Sequence, residues 1–185
     1  MTEVEKQNQI YQHAECLYSK AEISAAIETM GQTISADLAE ENPLVIGIMN
    51  GGLVFLGHLL PELNFPLQVD YLHATRYGDE QTGGELTWLA KPKQNLSGRM
   101  VLLVDDIFDE GVTLEKVVAF CQAEGAKAVK VAVLLDKKHN HKKTTLVPDY
   151  ILRTVPDQFV FGFGLDAKGY WRNAPGVFVL PEDDE

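Results

Sequence analysis

Residues 101–114, Val-Leu-Leu-Val-Asp-Asp-Ile-Phe-Asp-Glu-Gly-Val-Thr-Leu, constrain the fold more than any other stretch. The apolar run Met100 to Val104 is short, carries β-branched valines and stops at charge, the pattern of a parallel strand buried on both faces. Asp105 and Asp106 follow at its carboxyl end, where open α/β sheets bind their ligands. Beyond them Leu114, Val117, Val118 and Cys121 recur at helical spacing, with Gly111 and Thr113 at the start of that helix. A strand, an acidic loop and a helix start in succession demand a layered α/β architecture. The unpaired N–H groups of such a helix start favour an anion, and a phosphate ester is the guest they suit.

The same order recurs upstream. Leu44 to Met49 reads as a strand that ends in Asn50-Gly51-Gly52, and Leu53, Phe55, Leu56, Leu59 and Leu60 continue as a helix. Taken alone, this glycine loop predicts no more than a tight strand-to-helix turn. From Gln7 to Ala39 the periodicity predicts two helices broken near Ser19 to Glu22, stopped by Asn42-Pro43. Leu67 to Thr75 alternates as a strand, with Leu86 to Leu89 as its antiparallel partner. The polar, glycine-rich stretch between them fits either a hairpin tip or a lid.

Ala128 to Leu135 predicts a further buried strand, followed by Asp136-Lys137-Lys138-His139-Asn140-His141-Lys142-Lys143. Two histidines among four lysines predict a solvated basic loop rather than a metal site. From Asp149 to Leu180, Pro156, Gly162, Gly164, Gly169 and Pro175 divide short apolar runs, which predicts small strands and loops instead of another βαβ unit. Asp166 and Arg172 flank Tyr170-Trp171, a pair expected to pack the loop. The acidic tail from Pro181 is expected to fray.

At 185 residues and 45% hydrophobic content the chain suffices for one substantial core and is too short for two ordinary domains, so a single domain over 1–185 is expected. A net charge of −11 speaks against a broad nucleic-acid or anionic-membrane surface. Cys16 and Cys121 belong to no paired motif, which implies reduced thiols rather than a disulfide framework or zinc site. The first twenty residues lack the pattern of a secretory signal and no segment reads as a bilayer span, so a cytoplasmic location is expected.

The central acids belong to no Walker loop, because no Gly-Lys-Ser/Thr follows the glycine, and the dinucleotide fingerprint is missing. Response regulators place adjacent acids after their first strand, whereas here they follow at least three. Asp105-Asp106, Asp109, Gly111 and Thr113 together resemble the phosphoribosyl-diphosphate signature of the type I phosphoribosyltransferases. Val155 to Asp166, followed by Tyr170-Trp171-Arg172-Asn173, resembles the C-terminal hood of the hypoxanthine-guanine branch. Ile48 to Gly52 and Leu134 to Lys138 occur in the expected order, so the resemblance spans roughly residues 40 to 180.

The resemblance implies a mainly parallel sheet flanked by helices, with a small hood built from about 149–180 and an N-terminal helix. It implies magnesium-dependent transfer of 5-phosphoribosyl from phosphoribosyl diphosphate to hypoxanthine or guanine, giving IMP or GMP plus pyrophosphate. Asp105 and Asp106 would hold the ribose hydroxyls and, with Asp166, magnesium. Asp109 would be the general acid/base at purine N7, while Glu110, Gly111, Val112 and Thr113 would cradle the 5′-phosphate. Asn50, Gly51 and Arg172 would meet pyrophosphate, in a loop where members often carry a cis peptide. Lys137 would read the 6-oxo group, Phe159 would stack on the base and Val160 would meet its edge. Arg76-Tyr77 would lie on a lid, and dimers or tetramers are the usual assembly.

Glu110 and Asn50 depart from the family pattern. Glu110 stands where many members have a small hydroxyl residue, and the phosphate cradle survives if its side chain turns outward. Asn50 replaces the lysine or other residue of some members. Two alternative functions share the fold, a nucleotide-sensing RNA-binding regulator and a xanthine-preferring transferase. The acidic charge counts against the first, and Lys137 alone does not separate xanthine from other 6-oxopurines.

Overall fold

The computed structural model describes residues 1–76 and 86–180, without the side chains of Arg76 and Leu86. The polar loop expected over 77–84 and the expected frayed tail from Pro181 lie outside the described residues. A six-stranded sheet, ordered β4-β3-β2-β5-β6-β7, is built from β2 (Leu44–Met49), β3 (Gln68–Arg76), β4 (Leu86–Ala90), β5 (Met100–Phe108), β6 (Ala128–Lys137) and β7 (Tyr150–Val155). All pairs are parallel except β3 with β4.

Alternation along the central strands divides the core into two layers. Leu102 and Val104 of β5 pack with Val45, Ala132 and Leu134 beneath α2 (Lys20–Leu38) and α3 (Gly52–Leu59). Val101 and Leu103 face the other way with Leu44, Ile46, Val131 and Val133, against Leu114, Val117 and Cys121 of α4 (Val112–Ala123). Both faces are therefore dry, as the continuous apolar run of β5 predicts.

Caps and packing divide the work of placing α2. Ser19 and Glu22 form a capping box at its start, worth about 1 kcal/mol. Ile23, Ile27, Ile34 and Leu38 are at most 2% exposed, and each contributes roughly 1.5–3 kcal/mol. Burial thus holds the helix against the sheet, and the cap decides where it begins.

The N-terminal segment departs from expectation. The break between α1 (Glu3–His13) and α2 is a strand, β1 (Glu15–Tyr18), rather than a turn near Ser19 to Glu22. Cys16 and Leu17 thus lie on a strand and not on a helix face. β1 pairs antiparallel with β9 (Val177–Val179), which pairs with β8 (Val160–Phe161) to complete a three-stranded hood sheet. Local periodicity missed β1 because its partner lies at the far end of the chain.

Residues 150–155, expected with the hood, form the β7 edge of the large sheet instead. Against the hood, Tyr11 of α1 stacks on Trp171 at 4.6 Å, and the Trp171 indole N–H donates to the Gln7 carbonyl at 2.9 Å. Trp171 therefore packs the loop, as expected. Among the described residues no helix is long and apolar enough to cross a membrane.

Candidate active site

β5 does not stop at the acids but continues through Asp105 and Asp106 to Phe108. Its register with β6 sets Phe108 beside Asp136, so the next residues along each strand, Asp109 and Lys137, emerge together. Lys137 Nζ lies 3.2 Å from Asp109 Oδ2. Burial, followed by the charge of Asp106, pushes the Asp105 carboxyl well above the usual carboxylate range. Burial also raises Asp106, opposed by its hydrogen bonds and by the charge of Arg172. Burial raises Asp109 too, but hydrogen bonds from His139 and Lys137 and the Lys137 charge prevail and hold it below the ordinary range.

Two adjoining cavities open at this edge of the sheet. One of about 390 Å³ is lined by Asn50, Gly51, Asp105, Asp106, Asp109 to Gly111, Thr113, Asp166 and Arg172. The second, about 180 Å³, is lined by Lys137, Phe159, Val160 and Leu165 and shares Asp106, Ile107, Asp109 and Asp166 with the first. Asp109 therefore stands at their junction. A larger groove of about 490 Å³ runs between α2 and β7, and none of these acids lines it.

The larger site cavity is floored by close backbone approaches. The Met49–Asn50 peptide is cis, and a Cβ on Gly51 would fall 1.8 Å from Asp106 Oδ2. The Asn50-Gly51-Gly52 loop is thus part of the site, more than the tight turn its sequence predicts. Arg172 closes the opposite side, with Nη2 at 2.6 Å from Asp166 Oδ1 and Nη1 donating to the Gly164 carbonyl at 2.7 Å. Phe159 is 38% exposed beside the smaller cavity, and Val160 at its edge is buried. At the start of α4, Gly111 takes a left-handed conformation and makes no side-chain cap, and Glu110, Gly111 and Thr113 line the larger cavity.

The loop after β6 is only in part the solvated basic segment expected: Lys138, His141 and Lys143 are more than half exposed, whereas His139 and Lys142 turn inward. The His139 side chain is 1% exposed, and its Nε2 lies 2.8 Å from Asp109 Oδ1. Lys142 Nζ donates to the Phe108 carbonyl at 2.7 Å and pairs with Asp136 at 2.8 Å. Lys138 also pairs with Asp136, a buried acid. Lys143 closes on Glu110, its Nζ at 2.7 Å from Oε1 and its N–H donating to the Glu110 carbonyl at 2.9 Å. His141, also exposed, lies 3.3 Å from Asp157. The loop clamps the turn between β5 and α4, because the buried Asp136, the Phe108 carbonyl and the Glu110 carboxylate offer its cations better partners than water alone.

Residues 13–168 match the phosphoribosyl transferase domain family. The hypoxanthine-guanine phosphoribosyltransferase of Streptococcus pyogenes is 32% identical over 168 residues, covering 90% of this chain and 93% of the relative. The chain belongs to the phosphoribosyltransferase family, in its hypoxanthine-guanine branch. Its fold superposes on a hypoxanthine phosphoribosyltransferase from Staphylococcus aureus with a TM-score of 0.89, at 24% identity and covering 94% of this chain and 95% of that one. A variant hypoxanthine phosphoribosyltransferase from Trypanosoma cruzi, solved as a ternary substrates complex, gives 0.86 at 27% identity, covering 94% and 99%.

Against the family pattern, Glu110 is no longer an unexplained acid, since Lys143 holds its carboxylate. The phosphoribosyltransferase site also contains residues that sequence reasoning missed. His139, Lys142 and Lys143 reach Asp109, Phe108 and Glu110 across about thirty residues of chain. The available signal was the position of the basic run, directly after a parallel strand adjacent to the acidic one. Arg76 ends β3, but its side chain and all of Tyr77 lie outside the described residues.

Proposed function

We propose that the chain transfers the 5-phosphoribosyl group of phosphoribosyl diphosphate to N9 of hypoxanthine or guanine, releasing pyrophosphate and forming IMP or GMP. The observation that carries this reading is Asp109, a carboxylate at the junction of a base-sized and a larger polar cavity with Lys137 beside it. The C1′–O bond breaks with its electron pair on pyrophosphate, N9 supplies the pair for the new bond, and the N7 proton passes to Asp109. A carboxyl in hydrogen-bond reach of N7 contributes about 10²–10⁴-fold to such a step.

Lys137 donates to the 6-oxo oxygen, a contact the 6-amino group of adenine cannot accept. Phe159 offers a stacking face, and the Val160 backbone meets the edge of the ring. Asp105 and Asp106 hold the ribose hydroxyls, while the N–H groups from Glu110 through Gly111 and Val112 to Thr113 cradle the 5′-phosphate. Arg172 grips pyrophosphate through its planar fork, and Asn50 and Gly51 line the same space.

Asp105, Asp106 and Asp166 offer the hard carboxylate oxygens that magnesium takes, without converging on one point. The raised carboxyls of Asp105 and Asp106 support that fit, because a neighbouring cation offsets the cost of burying their charge. Among the described residues no three His, Cys, Asp or Glu side chains converge as a metal site, so diphosphate oxygens would complete the shell. Bound magnesium supplies charge neutralisation on the leaving pyrophosphate.

The test is pyrophosphate release from phosphoribosyl diphosphate and magnesium with hypoxanthine, guanine, xanthine, adenine or uracil. Turnover is expected with hypoxanthine, guanine or both, and silence with both rejects the reading. Turnover confined to xanthine would reassign the base. Asp109→Asn is expected to lower kcat about 10²–10⁴-fold with little change in base binding.

A further inference from the structure

We propose that His139 is a positioning residue for Asp109: as an imidazole protonated at Nε2 it holds the carboxylate facing the base cavity and in its proton-accepting form. This deepens the transferase reading and rests on its assignment of Asp109 as the base. The geometry determines the tautomer. The backbone N–H of His141 donates to His139 Nδ1 at 3.2 Å, so that nitrogen bears a lone pair. The proton of a neutral ring is then on Nε2, which lies 2.8 Å from Asp109 Oδ1. His139 therefore donates to the carboxylate and does not take its proton.

The ring is fixed on its other side as well. His141 stacks on it with centroids 3.9 Å apart and planes inclined by 11°, and Asp157 holds His141 from the hood side. The charged and titratable groups facing Asp109 are Lys137, which takes Oδ2, and His139, which takes Oδ1. Those facing His139 are Asp109 and His141. With one donor on each oxygen, the carboxylate plane is set between the two cavities and not left to rotate. An orienting group behind a catalytic base is the arrangement that general-base chemistry uses elsewhere, here with histidine supporting aspartate.

Three measurements test the proposal. Nitrogen-15 spectra of the unsubstituted protein should show His139 protonated at Nε2 and bare at Nδ1 at neutral pH; the opposite tautomer or an imidazolium overturns it without any variant. His139→Ala should lower kcat on the order of tenfold, as loss of a hydrogen bond to a charged group does, with KM for phosphoribosyl diphosphate unchanged. The acid limb of its kcat–pH profile should move to higher pH, because a carboxylate that loses a donor binds its proton more tightly. His139→Gln retains a donor for Asp109 and an acceptor for His141, and should restore the limb and most of the turnover. An Ala variant with the parental limb, or a Gln variant as slow as Ala, overturns the proposal. Absence of turnover in the unsubstituted protein would reject the transferase reading, while the nitrogen spectrum would still decide the Asp109–His139 pairing.

Discussion

Gly51→Ala separates the position of one carboxylate from the stability of the fold. A Cβ at Gly51 would lie 1.8 Å from Asp106 Oδ2, 2.3 Å from Cγ and 2.8 Å from Oδ1. Real Cβ contacts do not fall below 3.0 Å, so the carboxylate must retreat by about 1.2 Å, the difference between 3.0 and 1.8 Å. A misplacement of about 1 Å in a catalytic site costs on the order of 10²-fold, or about 2.7 kcal/mol of transition-state stabilisation. The backbone supplies an internal control. Gly51 has φ −59 and ψ −46, which alanine adopts without strain, and such a replacement stabilises by roughly 0.4–1 kcal/mol through the unfolded chain. The expected result is a kcat/KM for phosphoribosyl diphosphate about 100-fold lower, with a melting temperature within a few degrees of the parent. Parental activity in a variant that binds substrate normally would refute the claim that Asp106 must occupy its observed position.

Gly111→Ala meets a different obstacle, since φ is 84 and a Cβ would lie 2.3 Å from Thr144 Cγ2 and 2.6 Å from Phe108 Cε2. The left-handed backbone alone costs about 1–2 kcal/mol, so thermal unfolding should fall measurably and KM for phosphoribosyl diphosphate should rise; an unchanged melting curve rejects this. Burial pushes the Cys121 thiol up to about 11, whereas Cys16 is exposed. Iodoacetamide at mildly alkaline pH should therefore add once, on Cys16, by mass spectrometry of the folded protein. Because Asp109 is held below its ordinary value of 3.8, its contribution to stability is complete above that pH and is lost as pH falls through the lower folded value. The stability difference between the parent and Asp109→Asn in denaturant titrations should accordingly shrink below pH 3.8; a difference that grows there contradicts the sign.

Much of the site was legible where a residue's role depends on its immediate neighbours. Asp105, Asp106 and Asp109 announce themselves by following a buried strand, and Gly111 by preceding a helix. Lys137, Phe159, Val160 and Arg172 came from resemblance, and the structure places each at one of the two cavities. The basic loop is exposed at Lys138, His141 and Lys143 as expected, but its inward contacts were missed for a physical reason. Lysine and histidine in sequence signal solvent unless a partner is known, and the partners here are the Phe108 carbonyl, Glu110 and Asp109 on a different strand connection. β1 was missed for the same kind of reason, since its pairing with β9 joins opposite ends of the chain.

The sequence by itself determined the layered α/β class, the buried central strand, the acids near its end and the helix that starts beyond them, because hydrophobic period and turn chemistry act over a few residues. Tertiary structure alone decided that Gly51 makes room for Asp106, that Lys143 takes up the charge of Glu110 and that a buried His139 supports Asp109. Those contacts depend on which strands lie side by side and in what register, and strand order is set by packing both faces of the sheet, which no local pattern encodes.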